Sequence, residues 1–228
     1  FSFVLGADLC LLALALFRHT LHQVHLIAGA AAFLLLAGWT TAHLTTSLLN
    51  WALGFYLLFA ALHAVFPVLL QRLRPGVAPG WWGHLFPPIA LLLVMVPLLK
   101  ETTVSWVIWP CVLMIDIVAI AIAVLTASFL AILGVLVLTV AVTAVWILKI
   151  PAELTGLPPM LTVIGGFAIF FFIVSVFAEK KILAKLAALD PQSGLGKLGG
   201  ASGLSGPDDV LRQIPAMSAI LPFLLLIM

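Results

Sequence analysis

The sequence predicts an all-α, polytopic transmembrane helix bundle, with about six complete and two incomplete spans in 228 residues. Three observations predict it. The composition is 64% hydrophobic and 8% charged, at a mean hydropathy of +1.32. A soluble domain is about a quarter charged, so a chain this poor in charge has lipid as its main solvent. Apolar runs recur along the whole sequence, broken by short polar stretches. Most of those runs approach the roughly 20 residues that a helix needs to cross the hydrocarbon layer. Helices are expected rather than strands, because an open strand edge leaves backbone groups unsatisfied in lipid.

The runs are 3–17, 24–44, 48–70, 84–99, 104–125, 128–148, 158–178 and 215–228. The first and last are read as incomplete. Phe1 opens within an apolar stretch that has no basic leader, which argues against a signal peptide. The chain ends inside the run 215–228, so a longer parent chain is expected. The fourth run is short and carries Pro87, Pro88 and Pro97, so it is expected to be tilted, kinked or half-embedded. Pro87-Pro88 and Pro158-Pro159 suit first-turn positions, where a missing amide hydrogen removes no helical bond.

Three regions follow: a transmembrane bundle over 1–178, a cytoplasmic amphipathic helix plus Gly/Ser-rich linker over 179–214, and the start of a further span over 215–228. In the second region Ile182, Leu183, Leu186 and Leu189 form one stripe, with Lys180, Lys181 and Lys185 off it. That pattern suits a helix lying on an anionic leaflet, with the three lysines contacting lipid. The stretch Gly194–Gly200 has neither a phosphate-loop spacing nor a preceding strand, and reads as flexible linker.

Charge sets the expected orientation. If every run crosses, the side reached after Phe17 (side A) collects eight Lys and Arg residues against two, Lys100 and Lys149, on side B. Side A is then cytoplasmic. If the run 84–99 turns back instead, each side holds five and the orientation is undecided. Trp106, Trp109 and Trp146 near side B, and Trp81 and Trp82 near side A, fit interfacial aromatic belts.

The composition also excludes classes. A net charge of +2 without a basic, aromatic-interleaved patch excludes nucleic acid as a partner. The expected partners are the lipid bilayer and other membrane subunits or the remainder of the chain. Cys10 and Cys111 lie in apolar runs and read as inert small hydrophobes, not a disulfide framework.

The chemistry-bearing candidates are few. Asp116 is the only charged residue in its run, and Asp8 lies ten residues before Arg18. Both fall near the hydrocarbon midplane, with no Lys or Arg inside any run to neutralise them. Such a carboxyl is protonated, faces water or a cation, or hydrogen-bonds a neighbouring helix through Ser, Thr or a carbonyl. Asp116 and Asp8 are therefore the candidate proton or ion relay, with helix-to-helix bonding as the plainer alternative. His22, His25, His63 and His84, with His19, fall towards side A as weaker candidates for a metal site or proton funnel. His25 and His63 differ in depth by ~10 Å, too far for two axial ligands on one iron. No cofactor and no metal is expected. Gly165-Gly166 in the seventh run is expected to permit close helix approach. Glu101 and Glu153 read as interface charges.

The segment from Trp51 through Gly54-Phe55-Tyr56, His63 and Pro67 to Arg72 and Arg74 resembles a known family. So does the ending, Ile214-Pro215-Ala216-Met217 through Pro222-Phe223 to Ile227-Met228. The family is that of large, many-helix bacterial membrane proteins described only as a domain of unknown function. The resemblance covers the whole sequence. It implies a bacterial inner membrane, a longer parent chain and no catalytic residue to carry over. The function expected is that of an integral membrane subunit or scaffold. A proton- or cation-coupled transport module built on an intramembrane carboxylate is the second reading, and a membrane-embedded transferase the third.

Overall fold

The computed structural model describes residues 1–18, 24–74, 81–100, 104–126, 128–149, 157–189 and 220. Every regular element among them is helical: α1 (Ser2–Phe17), α2 (Val24–His43), α3 (Leu49–Leu73), α4 (Phe86–Lys100), α5 (Ile108–Thr126), α6 (Phe129–Ile147) and α7 (Leu157–Leu189). Short 3₁₀ turns at Thr46–Leu48 and Trp81–His84 lead into α3 and α4. The all-α architecture is as expected, with a smaller number of full-length spans. Five helical segments are long and apolar enough to cross a membrane: Val24–His43, Thr46–Leu73, Trp82–Lys100, Ile108–Thr126 and Pro158–Ala178. α1 is apolar but shorter, and α6, 19 residues long, is apolar over its described stretch Ala131–Ile147. The run 215–228 lies outside the described residues, apart from Ile220.

Successive helices alternate in direction, as their end-to-end contacts show. At one end Lys100, closing α4, donates to the carbonyls of Thr40 (3.1 Å) and Thr41 near the end of α2. Lys149, just past α6, donates to the Leu99 carbonyl of α4 at 2.8 Å. The Phe1 ring meets Trp39 at this same end. At the opposite end His84, ahead of α4, hydrogen-bonds Thr126, the last residue of α5, at 3.0 Å. α4 thus starts where α5 finishes and finishes where α2 and α6 finish. The run 84–99 crosses the bundle instead of turning back inside it. Pro87 and Pro88 occupy its first turn, as expected.

α4 is also the central element, packing on α2, α3, α5 and α6. The main core lies around it and joins Leu36, Tyr56, Phe59, Leu91, Ile115 and Ile164. α1 docks on α2, and α7 covers α5 and α6 from outside. Large apolar side chains such as Leu34, Ile169 and Phe177 remain exposed on the outer helices. In water this would be an aggregation surface; in a bilayer it is the lipid-facing surface.

Two glycines set how closely the helices meet. A Cβ on Gly29 of α2 would lie 2.5 Å from the Phe86 ring and 2.9 Å from His63 Nδ1. A Cβ on Gly83 would lie 3.2 Å from the Ala64 carbonyl oxygen of α3. Only hydrogen side chains fit there. Gly165 and Gly166 have nothing within 4 Å of such a Cβ, so the close approach expected at that pair is absent. It occurs at Gly29, because there α2, α3 and the head of α4 converge. Gly29→Ala is expected to destabilise the bundle by about 1 kcal/mol or more, through overpacking. Gly38→Ala, into open space, should not. Unfolding of both variants in detergent, measured side by side, checks this; equal stability would refute the close-approach account.

Candidate functional site: two buried carboxyls

Asp116 lies near the middle of α5, on the face formed by Val112, Ile115, Ala119, Ile120 and Ala123. It is fully buried. The helix begins at Ile108, four residues later than the run 104–125 implied, because Ser105 and Ile108 close a turn first. Asp116 remains close to its centre. Across from it, α6 presents Thr139 between Val135, Leu136 and Val142. The Thr139 hydroxyl lies 2.9 Å from Asp116 Oδ1 and 3.0 Å from Oδ2. A hydroxyl has one hydrogen to donate and two lone pairs to accept with. A carboxylic acid at Asp116 therefore closes a small ring with it: Thr139 donates to one oxygen, and the acid donates back. Every side-chain polar atom of the pair is then satisfied within two residues, in a buried interface between two helices.

Asp8 sits in a different setting. It shares the inward face of α1 with Leu12 and Ala15, one and two turns on. Its Oδ2 lies 3.0 Å from Nε2 of His63 on α3. Asp8 is 3% exposed and His63 0%, so the pair is sealed from solvent. The imidazole is held by the Phe86 ring, 4.9 Å away, and by Phe59, stacked at 6.4 Å and 9°. Pro67 lies one turn after His63 inside α3. Having no N–H, it removes the helical donor of the His63 carbonyl, and Gly83 packs against the backbone there. Asp8 Oδ1 and His63 Nδ1 are buried without a hydrogen-bond partner.

The sequence singled out both carboxyls but gave neither partner. The structure does not join Asp8 to Asp116; each pairs with a different residue on a different helix. His63 lies eight residues before Gln71 and Asp8 ten before Arg18, both counted from side A, so the sequence places the two at similar depth without pairing them.

The other candidates stand apart. His25 is buried against Phe66, with ring centroids 5.4 Å apart, and His84 bonds Thr126. His22 lies outside the described residues. Lys180 and Lys181 are exposed on α7, which continues without a break to Leu189; the side chain of Lys185 is outside the described part. Among the described residues no three His, Cys, Asp or Glu side chains gather to hold a metal ion. Trp109 and Trp146 are not belt residues facing outward. They pack together at 4.4 Å, and both are buried, while Trp106 at their edge is exposed. Trp109 borders an apolar cavity of about 480 Å³ between α5 and α7, lined by Trp106, Leu113, Val163 and Phe170 among others. A second cavity, about 420 Å³, lies by Phe1, Trp39 and His43. Neither includes Asp8, His63 or Asp116.

A further buried polar link, unnoticed in the sequence, joins Thr40 of α2 to the Tyr56 hydroxyl of α3 at 2.6 Å. Tyr56→Phe removes one partner and should cost about 1 kcal/mol. Comparison of the two proteins' thermal unfolding in one detergent checks it, and an unchanged midpoint would refute it. No family model matches the chain, and neither the curated proteins nor the solved structures contain a significant match.

Proposed function

We propose that this multi-pass membrane protein serves as an integral subunit or scaffold of a bacterial inner membrane, binding helices of other subunits or of its own parent chain. The closed Asp116–Thr139 pair carries the reading. A relay group has to pass its proton or cation on, through water or a further titratable side chain. Asp116 is instead bonded to Thr139 and fully buried among apolar side chains, which supports an interhelical bond. The exposed apolar faces of α2 and α7 supply surface for lipid and for partner helices.

The test is Asp116→Asn in the full-length protein, reconstituted in vesicles and in its native membrane. An asparagine keeps a hydrogen bond to Thr139 but cannot carry a proton. Assembly state on native gels and vesicle proton or cation permeability are expected to match the parent protein. A flux present in the parent and abolished in the variant would overturn the scaffold reading in favour of coupled transport.

A further inference from the structure

We propose that Asp8 and His63 form a proton-binding site inside the bundle, taking up one proton and switching between net charge −1 and 0. The site goes beyond the scaffold reading and is independent of Asp116.

Three observations point to it. The first is incomplete bonding. Asp116 has both oxygens on Thr139, whereas the Asp8–His63 pair leaves Oδ1 and Nδ1 over, one on each side of its single bond. An added proton has a place at either atom. The second is charge. An ionised Asp8 beside a neutral imidazole places an uncompensated negative charge among apolar side chains, which low-dielectric surroundings penalise heavily. One proton brings the pair to zero, as carboxylate with imidazolium or as carboxylic acid with imidazole. The third is access. A Cβ on Gly29 would lie 2.9 Å from His63 Nδ1, and His25 lies one turn from Gly29 on the same face of α2. His25 packs on Phe66, which lies almost one turn beyond His63 towards the end of α3. His25 therefore lies between the pair and the bundle end that carries Arg18, Arg72 and Arg74. A proton taken from water at that end has a titratable side chain on its way in, and leaves by the same way.

Among the described residues the other titratable groups near the pair are accounted for. On α1, Cys10 is exposed and Arg18 ends the helix. On α3, Tyr56 is bonded to Thr40, and Arg72 and Arg74 are at the far end. At the head of α4, His84 bonds Thr126. On α5, Cys111 bonds the Leu53 carbonyl, and Asp116 bonds Thr139.

The experiment is a pH titration of the whole protein in lipid nanodiscs, with ¹⁵N-labelled histidine followed by NMR and the carboxyl bands by infrared difference spectroscopy. The expected result is one transition seen together at His63 and at a buried carboxyl. Asp8→Asn removes the carboxyl signal and displaces the His63 transition by about one pH unit or more, a tenfold change in proton affinity. Asp116→Asn leaves both in place. If Asp8→Asn does not fold, Asp8→Glu, which keeps the acid, and the parent protein alone still decide. A His63 that keeps one protonation state wherever the protein stays folded overturns the proposal. So does a transition unaltered by Asp8→Asn, or one that follows sodium or potassium concentration instead of pH.

Discussion

His63→Leu is expected to destabilise the bundle by about 3–5 kcal/mol, the loss typical when one member of a buried ion pair is removed. The missing hydrogen bond is the smaller part. Bonds of this kind between membrane helices average about 0.6 kcal/mol in mutant cycles. The larger part is Asp8, left without its only partner at 3% exposure, against Leu12, Ala15 and the Phe66 side of α3. The double replacement Asp8→Leu with His63→Leu removes both polar groups and should recover most of the loss. Unfolding free energies of the parent, both single variants and the double variant check this in one detergent. A double variant as unstable as His63→Leu alone would show that the leucines fail to pack, and would refute the stranded-acid explanation.

Thr139→Val is expected to cost about 1–3 kcal/mol for the same reason, since it keeps the shape of the side chain and strands the Asp116 carboxyl. Asp116→Leu, which takes away the acid, leaves only a hydroxyl to be satisfied. Threonine in a helix can turn back to a carbonyl of its own preceding turn, as Thr143 does to Val140 at 2.8 Å. Thr139→Val should therefore be the more damaging of the two. A mutant cycle over both positions measures the coupling, and a coupling near zero would mean that the two side chains do not hold α5 to α6.

Much of the fold was legible because the membrane leaves few options. Runs of apolar residues near 20 long, in a chain 8% charged, mean helices, and α2, α3 and α7 begin within a residue or two of the expected positions. Asp116 and Asp8 stood out for the same reason, as charges where charge is expensive. Their partners did not. In a soluble protein the polar face of a helix shows which side is turned inward. Here Asp116 has apolar neighbours on every side of α5, and the face turned to lipid, with Met114 and Ile117, reads like the face turned to Thr139. Rotation about each helix axis is decided by side-chain fit, such as the contact of Gly29 with Phe86, which one helix's sequence does not contain. Depth along the axis could be counted from the flanking arginines; direction around it could not. That is why the level of His63 was known and its pairing with Asp8 was not. The crossing of α4 was similarly open. It depended on what Lys100 and His84 bond to, on helices far away in sequence.

α4 itself has 15 residues and rises ~22 Å; with the 3₁₀ turn ahead of it, the apolar segment Trp82–Lys100 has 19 residues, enough to cross a hydrocarbon layer of roughly 30 Å. Its two ends are fastened to different neighbours, at Thr126 through His84 and at Thr40 and Thr41 through Lys100. A lone helix could slide or tilt in the bilayer, whereas α4 is fixed in height by those ties. Its surroundings are mostly protein, because it packs on four other helices, and lipid reaches it at residues such as Leu92 and Leu99. The bundle therefore carries at its centre a crossing tied at both ends, where membrane thickness has the least influence on it. Changes in lipid chain length should strain the outer helices α2 and α7 well before they disturb the core around α4.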